Sequence, residues 1–568
     1  MKWFLNNLTI LHWLPHYQRS DFRGDLTAGL TVAMMLIPQA MSYAMLAGLP
    51  AIHGLYAGIL PIFAYAIFGT SRQLAVGPAA MVALLVSSGI GGLGALTTEN
   101  YIYLAIILAG MIGVIQLGMG LFRLGYLTNF LSHPVISGFT SAAALIIIVS
   151  QTGLLLGIQI PRSESLITLL SALYDQVNHT HAMTLIISTL SLGLMLSLKY
   201  WAKGLPNSMI LLLVATAVVW FFRLDLVGVS VVGNIPQGFP DFIVPSVSLT
   251  QIQQLIPTAL AIAFIGFIES IAVAKKMARE NRYELEPNKE LIGLGMANIV
   301  GSLFQSMPVA GGLGRSAVNN AAGARTQLAS IITAVCITLA LLFLTPMFYF
   351  IPKAVLGVVI VVAVYGLIDF KEVTHLWRVK KEDLALLALT FVSTLIVGVK
   401  EGILIGIAVS LLWFLAKTTR PHFAVMGRVG QTTDFRNIKR FAVETDPTVL
   451  ILRFDSQFYY GNVSFLKEKI REYQNIKGSE LKAIVIDACS VNQLDSSADT
   501  ALHELIEEGR LEGIEYFFAS VKGPVLDVMK LSGFYDLLGP QFFFFNVHDA
   551  VTGAKNWIDK KNEVIDES

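Results

Sequence analysis

The stretch from Ser306 to Asn319 reads SMPVAGGLGRSAVN, and the stretch from Gly69 to Ala80 reads GTSRQLAVGPAA. Both contain proline and several glycines, which interrupt helices because proline has no amide hydrogen and glycine has a low helix propensity. A short run of apolar or small residues follows each interruption. The sequence therefore predicts two short helices that begin inside an apolar region, one near Ala75 and one near Gly311.

The first 420 residues around these stretches have the composition of a membrane protein. The chain is 54% hydrophobic and only 14% charged, whereas soluble domains carry about 25% charged residues. Charged residues number 41 in residues 1–420 and 38 in residues 421–568. Apolar stretches of membrane-spanning length recur from Leu26 onward. We predict fourteen spans in a membrane domain at residues 25–420, after an N-terminal segment at 1–24, and a soluble domain at 436–560.

The two interrupted spans are the third and the tenth. They occupy equivalent places if residues 25–222 and 253–418 are repeats of seven spans each. Because seven is odd, the second repeat is inverted in the membrane. Inverted repeats with broken helices at matching positions are typical of secondary transporters that bind substrate near the bilayer midplane. The alternative is that glycine and proline only kink packed membrane helices.

The Lys and Arg residues of the loops predict the orientation. With both termini in the cytoplasm, the inward loops hold twelve of these residues, Lys203 among them, and the outward loops hold four, Arg162 among them. This excess predicts a multi-pass protein of the cell membrane (inner or plasma membrane) with a cytoplasmic C-terminal domain. The net charge of +1 gives no bulk attraction to nucleic acid.

A helix that begins in mid-membrane leaves its first amide groups unpaired, and its positive dipole end favours an anion. Gly77, Ala79, Gly312 and Gly314 are small enough for a ligand to approach the backbone. Arg315 adds a charge in an otherwise charge-free segment and is interpreted as attracting the anion. Its alternative role is a permanent ion pair with Glu269.

Glu269 is the only Asp, Glu, Lys or Arg between Asp241 and Lys275. Burial in the membrane favours the uncharged form of a carboxyl group, so Glu269 is a candidate for proton coupling. Gln39 and Tyr43 lie four residues apart in the first span and share one helix face, where they can hydrogen-bond and form a wall of the site. Packing between helices is their alternative role.

Several motifs resemble the sulfate-permease (SulP) family of anion transporters. They are Pro38-Gln39 with Tyr43–Pro50, Gly54–Tyr56, Gly69–Arg72, Glu269-Ser270 with Pro287–Ile292, Ala297–Ser302 and Arg315–Asn319. The resemblance implies an α-helical fold of fourteen spans in a 7+7 inverted repeat. Its core of spans one to four and eight to eleven would move against a gate of spans five to seven and twelve to fourteen.

The resemblance also implies a site and its residues. The residues that we expect to bind substrate are Gln39, Tyr43, Gly77, Ala79, Ala80, Gly312, Leu313, Gly314 and Arg315. Glu269 matches the acidic residue that the family uses for proton coupling. His53 departs from the aromatic residue usual at its position, and residues 310–314 lack the usual serines. Recognition is then left to backbone amides and Arg315, so bicarbonate or a C4-dicarboxylate stays open beside sulfate.

The C-terminal residues alternate between buried strands, at 448–455, 481–487, 514–520 and 541–547, and helices at 463–475 and 497–511. This alternation predicts a small α/β domain. The segments Asp487–Ser490 and Leu494–Ala498 resemble the loop of a STAS domain. In related domains a serine matching Ser497 is phosphorylated, which makes Ser497 a candidate regulatory phosphosite. Asp495 can instead cap the following helix.

The sequence predicts proton-coupled uptake of an inorganic oxyanion, sulfate first, by alternating access in a homodimer. An uncoupled exchanger or channel, and a sensor with the soluble domain as its output, are the alternatives. No nucleophile–base pair or metal-binding cluster indicates an enzyme, a metal site or a cofactor. Cys336 and Cys489 lie far apart in the sequence, one in the membrane domain and one in the soluble domain, so we predict no disulfide framework.

Overall fold

A computed structural model of the chain describes residues 8–94, 97–126, 132–160, 165–201 and 206–566. Lys203, Arg162 and the first seven residues of the predicted N-terminal segment lie outside these ranges. The chain divides into two compact units, with the boundary after Ser410. Each unit is described separately below.

The first half of the membrane unit contains helices and one short strand. In chain order these are α1 (Ile10–Trp13), α2 (Arg19–Leu46), α3 (Ala51–Ala57), α4 (Leu60–Phe68), β1 (Val76–Gly77), α5 (Ala80–Gly91), α6 (Thr98–Leu121), α7 (His133–Leu156), α8 (Leu166–Gln176), α9 (Ala182–Trp201) and α10 (Asn207–Phe222).

The second half follows the same order of long helix, second helix, short strand and short helix. Its elements are α11 (Leu249–Glu280), α12 (Pro287–Leu303), β2 (Ala310–Gly311), α13 (Leu313–Ala321), α14 (Leu328–Phe343), α15 (Lys353–Tyr365), α16 (Phe370–Val379), α17 (Lys381–Ile396) and α18 (Val399–Thr419).

Each of the fourteen predicted spans corresponds to helix in the described ranges, with α3 and α4 forming the second span. Six of the described helices are long and apolar enough to cross a membrane by themselves, and two further runs of this length consist of α3 with α4 and of α15 with α16. The shorter ones include α5, at Ala80–Gly91. The prediction did not include α8 and α16 as separate helices. Their sequences are too short to span a bilayer, so span counting passes over them.

The two half-helices start slightly later than predicted, at Ala80 rather than near Ala75 and at Leu313 rather than near Gly311. The residues just before each start form strands β1 and β2 instead of helix. These strands pair antiparallel, with Val76 opposite Gly311 and Gly77 opposite Ala310. Antiparallel pairing of equivalent segments is the arrangement expected for inverted repeats, and it fixes the two half-helix starts next to each other.

The helices define two ends of the membrane unit. We call the end where α2 begins, at Arg19, the terminal face, and the end where α2 finishes, at Leu46, the distal face. Successive spans run in opposite directions, so the segment from Gly69 to Arg72, which follows the second span, lies at the terminal face. The first residue of α15, Lys353, lies at the distal face.

A buried carboxylate anchors the segment that leads to β1. Glu290, 1% exposed, accepts hydrogen bonds from the Tyr65 hydroxyl at 2.7 Å, from the amides of Thr70 at 2.7 Å and Ser71 at 2.6 Å, and from the Thr70 hydroxyl. Two motifs behind the family resemblance, Gly69–Arg72 and Pro287–Ile292, are therefore in direct contact. Asp25 has a matching role, since it accepts from the amides of Arg325 and Thr326.

Glu290→Ala is expected to lower the free energy of unfolding by about 3 kcal/mol or more, because several buried donors lose their acceptor together. Thermal unfolding of the purified protein in detergent measures the loss as a lower melting temperature. Glu286→Ala is the matched control, because Glu286 is exposed and pairs only with Lys289. Equal melting temperatures for the two variants would contradict the anchoring role.

The second unit is built on a six-stranded sheet in the order β4-β3-β5-β6-β7-β8, in which the last four strands are parallel. Its elements are β3 (Phe423–Arg428), β4 (Phe435–Asn437), β5 (Val449–Phe454), α19 (Val463–Lys477), β6 (Ala483–Asp487), α20 (Ser496–Leu511), β7 (Glu515–Ala519), α21 (Gly523–Leu531), α22 (Phe534–Leu538), β8 (Phe543–Phe544) and α23 (Val547–Asp566).

The predicted boundary of this domain at residue 436 is wrong, because the sheet begins earlier, at Phe423. Strand β3 pairs antiparallel with β5, for example Phe423 with Phe454. Its apolar run directly follows the last membrane helix, and the partner strand that makes it part of the sheet comes more than twenty residues later. The last predicted strand, 541–547, is shorter than expected and covers only β8.

Asp495 caps helix α20. Its side chain accepts the Ala498 amide at 2.8 Å and the Tyr460 amide at 2.9 Å. Asp495→Ala is expected to destabilise the start of α20 by about 1 kcal/mol, whereas Asp495→Asn keeps a good cap. Hydrogen exchange of the α20 amides in the full chain measures this as faster exchange in Asp495→Ala. Exchange as slow as in Asp495→Asn would count against the cap.

Candidate functional site

The site is built around the two half-helix starts. The residue that precedes α5 is Ala79 and the residue that precedes α13 is Gly312, and neither helix has a side-chain cap at this position. An uncapped helix start leaves amide hydrogens free for a ligand. Since β1 and β2 hold the two starts together, donors from both repeats and both positive dipole ends converge on one region.

Arg315, in the first turn of α13, is buried with 3% exposure. Its Nη1 donates to the Pro78 carbonyl oxygen at 2.5 Å. Its Nε and Nη2 are also buried but have no hydrogen-bond partner among the residues that the structure describes. These two nitrogens form one edge of the guanidinium, and that edge can donate two parallel hydrogen bonds to an oxyanion. The bond to Pro78 thus orients a free, charged edge.

The glycines beside Arg315 also leave room for its side chain. A Cβ added to Gly312 would lie 2.8 Å from the Arg315 Cζ, and one added to Gly77 would lie 3.5 Å from its Nη2. The space that the sequence analysis assigned to the ligand is thus partly filled by the guanidinium itself. Because Gly312 has no side chain, the Arg315 guanidinium can fold back over the first turn of α13. The spacing of residues in the sequence does not reveal this contact.

The other predicted ligand-binding residues surround this centre. Gln39 and Tyr43, on α2, are 6% and 7% exposed. The hydrogen bond predicted between them does not form in the described structure. Tyr43 lies within electrostatic range of the Arg315 guanidinium. Ala79 and Ala80 are buried at the start of α5, whereas Leu313 and Gly314 are exposed on α13.

Glu269, on α11, is the second charged group of the centre. Its Oε2 is buried and has no hydrogen-bond partner, and the carboxyl interacts electrostatically with Arg315. Among the described residues Glu269 forms no ion pair with Arg315, Lys275 or Lys276, so the predicted alternative of a permanent salt bridge is not observed. The carboxyl group therefore remains available for a proton.

Three polar residues that the sequence analysis did not assign to the site hold its backbone. Ser270 accepts the Gly311 amide at 2.8 Å. Asn298 accepts the Val309 amide at 2.8 Å and donates to the Val309 carbonyl. Ser316 accepts the Ala75 amide at 2.9 Å and so joins the two repeats. Their positions as polar residues inside otherwise apolar spans could have marked them as candidates. Only the fold shows which backbone groups they bind.

A cavity of about 710 Å³ opens at the terminal face and extends along α2 as far as Gln39. Gln39 and Met35 of α2 line it, together with Val318 of α13 and Lys199 and Asn207 near the ends of α9 and α10. The exposed side of α13, with Gly314 and Ala317, faces the same way as Val318. The cavity therefore approaches the centre from the terminal face, while the side chains of Arg315 and Glu269 stay buried.

Ser497 lies apart from this centre, in the second unit. It is the second residue of α20 and is exposed. Its phosphorylation stays a prediction, while the capping role of Asp495 is the one for which the structure provides hydrogen bonds. Within the described residues no cluster of three or more His, Cys, Asp or Glu side chains could hold a metal ion.

Comparison with known sequences identifies the family. The family model described as "Sulfate permease family" matches residues 22–390, and the STAS domain model matches residues 440–550. The chain belongs to the sulfate permease family. The predicted family and its STAS domain are thereby confirmed. Because this is a transporter family, the permease is a membrane transporter and not an enzyme.

Relatives cover almost the whole permease. "Sulfate transporter 4.1, chloroplastic" from Arabidopsis thaliana is 40% identical, over 99% of this chain and 84% of that protein. The murine Solute Carrier 26 family member A9 anion transporter, solved in the inward-facing state, is 26% identical with a TM-score of 0.90, over 98% of this chain and 95% of that one. The predicted transporter fold is therefore confirmed along the chain.

The transmembrane domain of a cyanobacterial bicarbonate transporter, BicA, is also similar to the permease. It is 24% identical with a TM-score of 0.60, over 70% of this chain and 98% of that one. At this identity the likeness shows the fold alone.

Proposed function

We propose that this permease is a secondary transporter that takes up sulfate together with protons by alternating access. The observation that carries the proposal is the buried, unpaired Nε–Nη2 edge of Arg315 between two uncapped helix starts. Such a site offers a charged pair of donors and backbone amides to an oxyanion. The printed names of the plant relatives, which are sulfate transporters, support sulfate as the anion.

Glu269 supplies the coupling in this proposal. When ionised, its carboxylate repels a nearby anion and attracts Arg315. When protonated, it does neither, so the proton and the anion bind with positive cooperativity. A cycle would load both ligands from the distal face and release them into the cavity at the terminal face. The core helices, including α2, α5, α11 and α13, would move against the gate helices.

We further propose that the terminal face is cytoplasmic, from the excess of Lys and Arg in the loops on that side. The cell membrane as the location and a homodimer as the assembly are part of the same proposal. Both rest on the composition of the chain and the resemblance to the family.

Uptake of radiolabelled sulfate into proteoliposomes tests the function. Accumulation driven by an inward proton gradient, with competition by excess unlabelled sulfate, is expected. If bicarbonate or succinate competes more strongly than sulfate, that anion becomes the proposed substrate in place of sulfate. Anion conductance that is independent of the proton gradient would favour the channel or exchanger.

A further inference from the structure

A second cavity, of about 470 Å³, opens at the distal face. Met45 and Leu46 at the end of α2 line it on one side, and Gln151 of α7, Asn234 and Lys353 line it on the other. Met45 and Leu46 follow Tyr43 by two and three residues on the same helix. The cavity therefore lies about one helical turn from the central site, on the side opposite the open terminal cavity.

The charge of this cavity is positive. Lys353 is partly buried, and its ammonium group has no ion-pair partner among the described residues. None of the described residues that line the cavity is Asp or Glu. Lys353 is also the first residue of α15, so its charge adds to the positive dipole end of a helix that begins at this face.

Gln151 is an independent sign of a ligand in this cavity. It is 5% exposed, and its Oε1 is buried without a hydrogen-bond partner, while its Nε2 donates to the Ser150 hydroxyl at 3.2 Å. The two ends of an amide have nearly the same shape, and their assignment follows from the surrounding hydrogen bonds. With the amide turned over, its nitrogen takes the unpartnered position and can donate to an anion, while the Ser150 hydroxyl turns from the Ile147 carbonyl oxygen, to which it donates at 2.8 Å, to the amide oxygen.

We propose that the distal cavity is a loading site for a small oxyanion, in which Lys353 and Gln151 bind the anion before it moves to Arg315. This inference rests on the proposed transport function and adds a separate station on the gate helices α7 and α15. A single unpaired charge near the path of an anion raises its local concentration, and salt screens this effect.

The test compares sulfate uptake by intact bacterial cells, which present the distal face outward, with uptake by inverted membrane vesicles, which present the terminal face. Lys353→Gln is expected to raise the KM for sulfate about fivefold in cells at low ionic strength, with an unchanged maximal rate. The rise should shrink at high salt. In inverted vesicles the KM should stay at the wild-type value.

Two further variants sharpen the result. Lys353→Arg should keep the wild-type KM because it keeps the charge, and Gln151→Leu should raise the KM in cells at every ionic strength. Lys400→Gln is the matched control, since Lys400 also lies at the distal face but is paired with Glu401 at 3.4 Å. It should behave as wild type.

Equal KM values for Lys353→Gln and Lys400→Gln in cells would overturn the loading site, as would a rise of the same size in inverted vesicles. Failure of the wild-type protein to take up sulfate in either preparation is a different outcome. It would overturn the proposed function, and the loading site with it.

Discussion

Arg315→Ala is expected to raise the dissociation constant for sulfate about 30-fold or more. The variant removes two charge-assisted hydrogen bonds, and a loss of about 2 kcal/mol corresponds to this factor. The buried Nε and Nη2 have no hydrogen-bond partner among the described residues, so a weaker affinity in this variant would reflect lost bonds to sulfate. Equilibrium binding of radiolabelled sulfate to the purified protein measures the change.

Arg315→Lys separates charge from geometry. Lysine keeps the positive charge but lacks the planar fork, so its dissociation constant should fall between those of wild type and Arg315→Ala. Arg223→Ala is the control, because Arg223 already pairs with Asp225 at 3.2 Å and is largely exposed. Wild-type affinity in folded Arg315→Ala, shown by an unchanged elution profile and melting temperature, would remove Arg315 from the site.

Glu269→Gln is expected to abolish the dependence of sulfate uptake on the proton gradient while sulfate binding persists. Glutamine has the shape of the protonated acid but cannot release a proton. For one coupled proton, a gradient of one pH unit corresponds to about a tenfold difference in accumulation. The wild type should show a gain of this order in proteoliposomes, and Glu269→Gln should show none.

Glu280→Gln is the control for this experiment. Glu280 ends the same helix, α11, and its side chain accepts a hydrogen bond from Asn320 at 3.0 Å at an exposed position. It should keep the full response to the gradient. A response in Glu269→Gln as large as in Glu280→Gln would show that another group carries the proton.

The interruptions of the two half-helices could be predicted because proline and glycine act locally. Pro78 and Pro308 each lie next to glycine and other small residues, and this combination disfavours helix without any contribution from the rest of the chain. The few residues of error at Ala75 arise because β1 takes up the residues before α5. Those residues form a strand only because β2, from the other repeat, is there to pair with them.

The orientation of Arg315 could not be predicted either, because it also depends on contacts that form only in the folded chain. The sequence shows a lone charge in an apolar segment, which indicates a functional position. It does not show that the Pro78 carbonyl binds Nη1, or that Gly312 makes room for the guanidinium. The first contact joins residues that are far apart in the chain, and the second depends on the conformation of the arginine side chain.

The strand at Phe423–Arg428 was missed because its place in the sheet is set by a distant partner. A short, mostly apolar run after a membrane helix has no local mark that separates linker from strand. By contrast, β5, β6 and β7 were predicted, since each is a buried run flanked by helices with their own periodicity.

The central claim is that an oxyanion binds between the starts of α5 and α13, on the free edge of Arg315. Electron cryomicroscopy of the protein in sulfate, compared with the protein in a buffer of a large organic anion, tests it most directly. We expect a density peak, present only with sulfate, within hydrogen-bonding distance of the Arg315 Nε and Nη2 and of the first amides of both half-helices. A sulfate-dependent peak elsewhere, with this position empty at saturating sulfate, would contradict it.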